Sequence, residues 1–356
     1  MTLFITIIII SIFGLIMIYS SSYVWAEYKF NDPFKFVKNQ LLFFIIGIFL
    51  MIFISKIDYK KYLENANKLL LIAIILLILV LIPGIGTIRN GSRSWFGIGS
   101  FGIQPSEAAK LILIIFTAKY LSHNQKVIKD VKKGVVPILL ITLFIFGLIM
   151  LQPDFGTGVI LVMSVIGLLF VAGANLKFFL SLGILGVIGI VVLILIAPYR
   201  LERIVSFINP WSDPLGSGFQ IIQSLYAIGP SGLFGYGFLK SRQKHFYLPE
   251  PQTDFIFSII AEEFGFMGII IVASLFLIII YRGFKIARST NDLFSKYLAF
   301  GITFELAFQA MLNLMVVVGL IPVTGVTLPF LSYGGSSLLI TLGGMGILLN
   351  ISRKFN

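Results

Sequence analysis

An all-α, polytopic membrane fold of ten spans is the fold class this sequence predicts, and three observations predict it. The 356 residues are 58% hydrophobic and 12% charged, with a mean hydropathy of +1.01. A soluble globular chain carries about twice that charge fraction. Ten apolar runs recur along the chain, each near the ~20 residues a helix needs to cross a bilayer. Basic residues gather in alternate connections, as the positive-inside bias requires. The reading is one bundled membrane domain over 1–356, with both termini cytoplasmic.

The first run, about residues 3–21, has no basic leading segment and no small-residue cleavage site. It reads as a retained span rather than a removed signal. The others centre near 40–55, 67–83, 107–122, 135–151, 157–173, 177–197, 255–281, 297–321 and 334–351. No internal repeat relates them, so inverted-repeat transporter architecture is not indicated. Lys56, Lys60, Lys61 and Lys68 mark one inward connection, and Lys126, Lys129, Lys132 and Lys133 the next. Lys177, then Arg282, Lys285, Arg288 and Lys296, then Arg353 and Lys354 continue the series. The outward connections are 23–39, 84–106, 152–156, 198–253 and 322–333. Long functional loops stand where the substrate is. The 198–253 segment, between the seventh and eighth spans, is therefore the expected extracytoplasmic catalytic loop.

Composition also excludes. Cysteine is absent, which removes disulfides, thiolate nucleophiles and Cys-ligated metals. His123 and His245 are the two histidines and lie far apart, so neither a His metal site nor a Ser-His-Asp triad is indicated. The formal charge of +12 follows from membrane topology and does not call for nucleic acid.

The stretch Leu248–Gly265 carries Asp254 at the junction of loop and apolar run, with Glu262 and Glu263 inside that run. Carboxylates at or below a membrane surface need a reason. Upstream, QPSEAAK (104–110) reads as a helix start, with Pro105 early, Ser106 as cap and Glu107 in the first turn. Glu107 and Lys110 then share a helix face, as a local ion pair, a functional pair, or both. QPDFGTG (152–158) reads as a tight turn in which Asp154 bonds its own backbone; catalysis is the alternative. The long loop supplies Arg200, Arg203, Arg242 and Lys244, with Glu202, Asp213, Glu250 and Asp254 interleaved. Its glycines, Gly229 to Gly237, would let backbone N–H groups approach an anion. IVSFINPW and FQIIQSLYAI are apolar enough to lie in the interface plane as amphipathic helices. The last outward connection, 319–337, breaks the helical pattern with prolines, glycines and a hydroxyl cluster that includes Ser332 and Ser336. Non-helical backbone at that depth is buried in protein or lines a wet cavity; a cavity is the expectation.

NGSRSW, QPSEAAK, QPDFGTG, AIGPSGLFGYG, SRQKHFYLPEPQTDFIFSIIAEEFG and GLIPVTGVTLPFLSYGGSS together resemble the successive signatures of the SEDS family (RodA, FtsW and SpoVE). They come in the family's order and cover nearly the whole chain. NGSRSW, YLPEPQTDFIF and IYSSSYVWAEYKF are most similar to the FtsW/SpoVE branch of Gram-positive bacteria. The sequence departs from the family pattern at Gln252, where many relatives carry His, and at Ser94, where many carry Arg.

The resemblance implies a ten-helix glycosyltransferase of the bacterial cell membrane that polymerises lipid II into peptidoglycan beside a class B penicillin-binding protein. Lipid II is an undecaprenyl-pyrophosphate-linked disaccharide peptide. Division, elongation and spore cortex synthesis all stay open as its setting. The family's essential acid matches Asp254, its Glu and Lys match Glu107 and Lys110, and its QPD acid matches Asp154. Chemistry points the same way. The sugar hydroxyl needs a general base, and the pyrophosphate leaving group needs cations or helix N-termini. The donor bond is α and the product bond β, so one inverting displacement suffices, without a covalent nucleophile on the protein. Asp254 is then the base. Arg203, Arg242 and Lys244 are candidate pyrophosphate contacts, and Glu250, Thr253, Ser332 and Ser336 complete the candidate substrate site. No cofactor is assigned; a divalent cation (Mg or Mn) on loop carboxylates is compatible. Other classes of function are a lipid II flippase, using Lys110, Glu262, Glu263 and Glu305, and a non-catalytic scaffold that activates a transpeptidase.

Overall fold

The structure, a computed structural model, describes residues 1–89, 91–98, 101–196, 207–216 and 218–354. Each predicted apolar run is a helix: α1 (Thr2–Phe30), α2 (Lys35–Ile54), α3 (Lys60–Leu79), α4 (Pro105–His123), α5 (Val136–Met150), α6 (Phe155–Val171) and α7 (Leu176–Ile196). A short helix, α8 (Phe219–Ile228), precedes α9 (Ile256–Ser289), α10 (Leu293–Val317) and α11 (Gly335–Lys354). Among the described residues seven helices are long and apolar enough to cross a membrane. The chain is a multi-pass membrane protein. Three of the ten expected spans fall outside that count. Of these, α6 has only 17 residues, and α4 carries Glu107, Lys110 and Lys119. Outward-facing apolar side chains such as Phe49, Leu71, Leu180 and Leu277 suit lipid rather than water.

Both termini and the basic connections meet at one end of the bundle. Arg282 donates to Thr2 Oγ1 at 2.9 Å, Lys354 pairs with Asp58, and Asn350 Nδ2 donates to the Ser55 carbonyl at 3.0 Å. The opposite end holds a feature that an all-α reading lacks. β1 (Thr87–Arg89), β2 (Ser92–Ile98) and β3 (Phe101–Ile103) form a small antiparallel sheet in that order. Thr87 faces Trp95 and Phe96 faces Ile103. The Arg89 guanidinium lies 5.0 Å from the Trp95 ring centroid, a cation–π contact that closes the hairpin.

Helix α10 is the central post, packed against α4, α6 and α9. Helix α8 is amphipathic as expected, but its apolar face is covered by protein. Ser224 donates to the Val317 carbonyl at 2.6 Å and lies 2.8 Å from Ser258 Oγ, which ties α8 to both α9 and α10. IVSFINPW begins outside the described residues. The 319–337 connection is mostly packed into protein rather than lining an open cavity: Leu328, Phe330, Leu331 and Ser332 are buried. Its backbone is paired, Tyr333 N–H to the Gln252 carbonyl (2.8 Å) and Gly334 N–H to Gln40 Oε1 (3.1 Å).

The long loop re-enters the bundle at a break in α9. Gly265 has φ 61 inside that helix, a conformation that suits glycine. The groups freed by the break are taken by residues 232–237. Tyr236 and Gly237 N–H donate to the Glu262 and Glu263 carbonyls, both at 2.9 Å. Phe266 and Met267 N–H donate to the Gly232 and Leu233 carbonyls, at 2.9 and 3.1 Å. A β-carbon on Gly235 would stand 2.4 Å from the Glu263 carbonyl, so the two backbones meet without side chains between them.

Candidate active site

Asp254 lies in the turn before α9 and is half-buried. Phe255 holds the helix cap position and makes no side-chain cap bond; Asp254 precedes that position by one. Its main-chain carbonyl accepts from Asn313 Nδ2 at 2.8 Å, and the same nitrogen donates to the Val326 carbonyl at 2.8 Å. A β-carbon added to Gly325 would stand 3.8 Å from Asp254 Oδ2. The acid is therefore held between α10 and the last outward loop. Thr253 Oγ1 donates to the Glu250 carbonyl at 2.9 Å. Glu250 is exposed and sits at φ 45, in the left-handed region that non-glycine residues seldom occupy.

Asp154 borders the same loop from the other side. It caps α6 by accepting from Thr157 N–H at 3.2 Å, the local bond its turn predicted. Its second oxygen accepts from Gln104 Nε2 (2.8 Å) and Ser106 Oγ (3.4 Å). Burial pushes the Asp154 carboxyl up, and the Thr157 hydrogen bonds oppose it. Gln104, not Ser106, occupies the cap position of α4, because Pro105 already has helical geometry at the first position. The Gln104 N–H donates to Ser336 Oγ at 3.0 Å, and the Leu328 N–H to Ser332 Oγ at 2.8 Å. Both candidate serines thus serve the backbone around the site.

Lys110 is buried among helices. Its Nζ lies 3.3 Å from Glu107 Oε1, 3.4 Å from Glu305 Oε1 and 2.8 Å from Gln309 Oε1. Gln309 Nε2 continues to the Thr327 carbonyl at 3.0 Å. The cavity beside this cluster, lined by Glu107, Glu305, Gln309 and Thr341 among others, measures ≈ 20 Å³, room for about one water.

The loop cations separate. Lys244 points inward: its Nζ is 2.8 Å from Glu263 Oε1 and neither side chain is exposed. Ser20 Oγ also donates to Glu263, at 2.6 Å. Burial lowers the Lys244 pKa, and Glu263 opposes that shift. Glu262 accepts from Ser241 Oγ and from Arg242 N–H, so the two acids found in the apolar run anchor residues 241–244. Arg242 is exposed and stacks 5.0 Å from the Tyr236 ring centroid. With Lys240 and His245 it edges an outward hollow of ≈ 620 Å³. Arg203 lies outside the described residues.

The sequence profile of FtsW, RodA and SpoVE proteins, described as cell cycle proteins, matches residues 1–356. The chain belongs to this family. Stage V sporulation protein E of Bacillus subtilis is 56% identical over 98% of the chain and 95% of its own length. A probable peptidoglycan glycosyltransferase FtsW of Trichlorobacter lovleyi is 43% identical over 99% of the chain and 92% of its own length. Among solved structures, a chain from work on the coordination of polymerization and crosslinking by a peptidoglycan synthase complex superposes with TM-score 0.81. It is 32% identical and covers 99% of this chain and 97% of its own. RodA of Thermus thermophilus follows at TM-score 0.73 and 29% identity, over 99% and 96%.

Within this FtsW/RodA/SpoVE fold, two turns and helix α10 converge on residues 324–327. A β-carbon on Gly156, beside Asp154, would meet the Thr324 carbonyl at 2.7 Å, while Asp254 approaches from the turn before α9 and Gln309 from α10. The sequence reading missed Gln309 and Asn313. Their signal was present: Glu305, Gln309 and Asn313 recur every four residues along the otherwise apolar second half of α10, one polar stripe on one face. Among the described residues no three His, Asp or Glu side chains gather as a metal cage.

Proposed function

We propose that this chain is a peptidoglycan glycosyltransferase that polymerises lipid II, with Asp254 as the general base of an inverting transfer. The observation that carries the reading is the placement of Asp254. It is a half-buried carboxylate one residue before the cap position of α9, on a paired turn at the outward end of the bundle. The acceptor hydroxyl loses its proton to Asp254 as it attacks the anomeric carbon, and the pyrophosphate departs. Arg242, with Arg203, is the cation assigned to that leaving group. Lys244 serves instead to hold the loop. Glu107, Lys110 and Asp154, with Thr253, Glu250, Ser332 and Ser336, shape the walls rather than react. The partner is a class B penicillin-binding protein, in keeping with the complex that contains the relative noted above.

A flippase needs a passage for a disaccharide peptide. The cavity beside the Lys110 cluster measures only ≈ 20 Å³, and the charges of Lys110, Glu107 and Glu305 are spent on one another, which favours a structural role for them. The deciding experiment gives lipid II in detergent to the purified protein. Glycan strands from the protein alone support the enzyme. Scrambling of labelled lipid II without polymer overturns it in favour of transport, and strands made by the transpeptidase partner alone in favour of a scaffold.

A further inference from the structure

Asn313 is the third member of the polar stripe on α10, and its role differs from the other two. Glu305 and Gln309 engage Lys110. Asn313, 1% exposed, places one nitrogen 2.8 Å from two carbonyls, those of Asp254 and Val326. A primary amide carries two N–H groups in one plane, so a single side chain can hold both carbonyls at a fixed separation. A serine hydroxyl has one donor and a carboxylate none. The Asn313 Oδ1 has no partner among the described residues, so the residue is held there by its donors. A buried acceptor without a partner is unfavourable, and an apolar side chain would avoid it. The retained amide therefore points to a task for the two N–H groups.

We infer that Asn313 is the positioning residue for Asp254: its two donors clamp the turn bearing the carboxylate to the last outward loop. The clamp sets where the carboxylate stands relative to the acceptor hydroxyl. This inference rests on Asp254 being the base. A general base works only within hydrogen-bond reach of its proton, and a displacement of about 1 Å can cost on the order of 100-fold in rate.

The test is a series at one position: Asn313→Asp removes both donors at equal size, Asn313→Ser keeps one, and Asn313→Gln keeps both on a longer arm. Rates are taken per monodisperse molecule, with kcat and KM for lipid II separated. The expected order of kcat is Gln above Ser above Asp, with Asp down about 10- to 100-fold and KM unchanged. Asn313→Asp combined with Asp254→Glu should fall no further than the worse single variant, because both act through one carboxylate. Wild-type kcat in both Asn313→Asp and Asn313→Ser overturns the inference, as do losses that multiply in the double variant. If neither variant is recovered folded, the contact belongs to the fold and the inference also falls. Full activity in Asp254→Asn defeats the base assignment itself. An inactive Asp254→Asn beside fully active Asn313 variants defeats only the clamp.

Discussion

Lys244 Nζ and Glu263 Oε1 lie 2.8 Å apart with neither side chain reached by solvent. Removing one partner leaves an unpaired buried charge, a loss on the order of 3–5 kcal/mol. Lys244→Met should lower the melting temperature and folded yield in detergent. Lys244→Met with Glu263→Gln should recover part of both. Per folded molecule, KM for lipid II should stay at the wild-type value. A raised KM at unchanged stability would put Lys244 back among the pyrophosphate contacts.

Asp254 and helix capping make opposite predictions. Asn caps about as well as Asp but cannot take a proton, and a missing base costs ~10²–10⁴ in rate. Asp254→Asn should therefore insert and melt like wild type while losing nearly all polymerisation. Asp254→Glu should be impaired as well, since the carboxylate moves by a methylene. The measurement is strand length on a gel against melting temperature; an active, well-folded Asp254→Asn sinks the assignment.

Lys110 answers to two carboxylates, Glu107 and Glu305. Lys110→Ala leaves both buried without their cation, so folded yield should collapse. Glu107→Gln alone added to it should restore little, because Glu305 still lacks a partner. Glu107→Gln and Glu305→Gln together with Lys110→Ala should restore most of the yield. Size-exclusion profiles distinguish a three-member cluster from a simple pair.

Topology can be read with single cysteines, since the chain has none. Tyr247 is 56% exposed on the long loop, and Lys129 is exposed on a basic connection. An impermeant thiol reagent on intact cells should label Tyr247→Cys and spare Lys129→Cys. The reverse pattern would place the proposed site in the cytoplasm. Ser241 is a poor probe on the same loop because it is 1% exposed.

The parts legible in the sequence are those governed by local composition. Each of the ten apolar runs is helical, seven of them among the described residues long and apolar enough to cross a membrane, and the turn bond of Asp154 and the Glu107–Lys110 pairing followed from local sequence alone. The rest depends on distant partners. Lys244 looked like a free loop cation because Glu263 meets it only once residues 232–237 dock against α9. The break at Gly265 went unread, because the run 255–281 counts as one continuous apolar span. The sheet at 87–103 was hidden because β1 and β3 have three residues each, too short for alternation to register. The polar stripe could have flagged Asn313, but not what it holds, because its acceptors are main-chain atoms, which carry no sequence signature.

The break at Gly265 also bears on membrane thickness. Unbroken, the 34 residues of α9 would measure about 51 Å, far beyond a hydrocarbon core of about 30 Å. Phe266–Ser289 alone spans about 36 Å, enough to cross with some tilt. The outer piece, Ile256–Phe264, is left over from that match, and only Phe255 separates it from Asp254. It is secured by the clasp with residues 232–237 and by α8 and α10, all protein contacts. A thicker or thinner bilayer acts on the inner rod, which responds by tilting. The height of the proposed base above the lipid is then set by the joint rather than by the tilt of the inner rod.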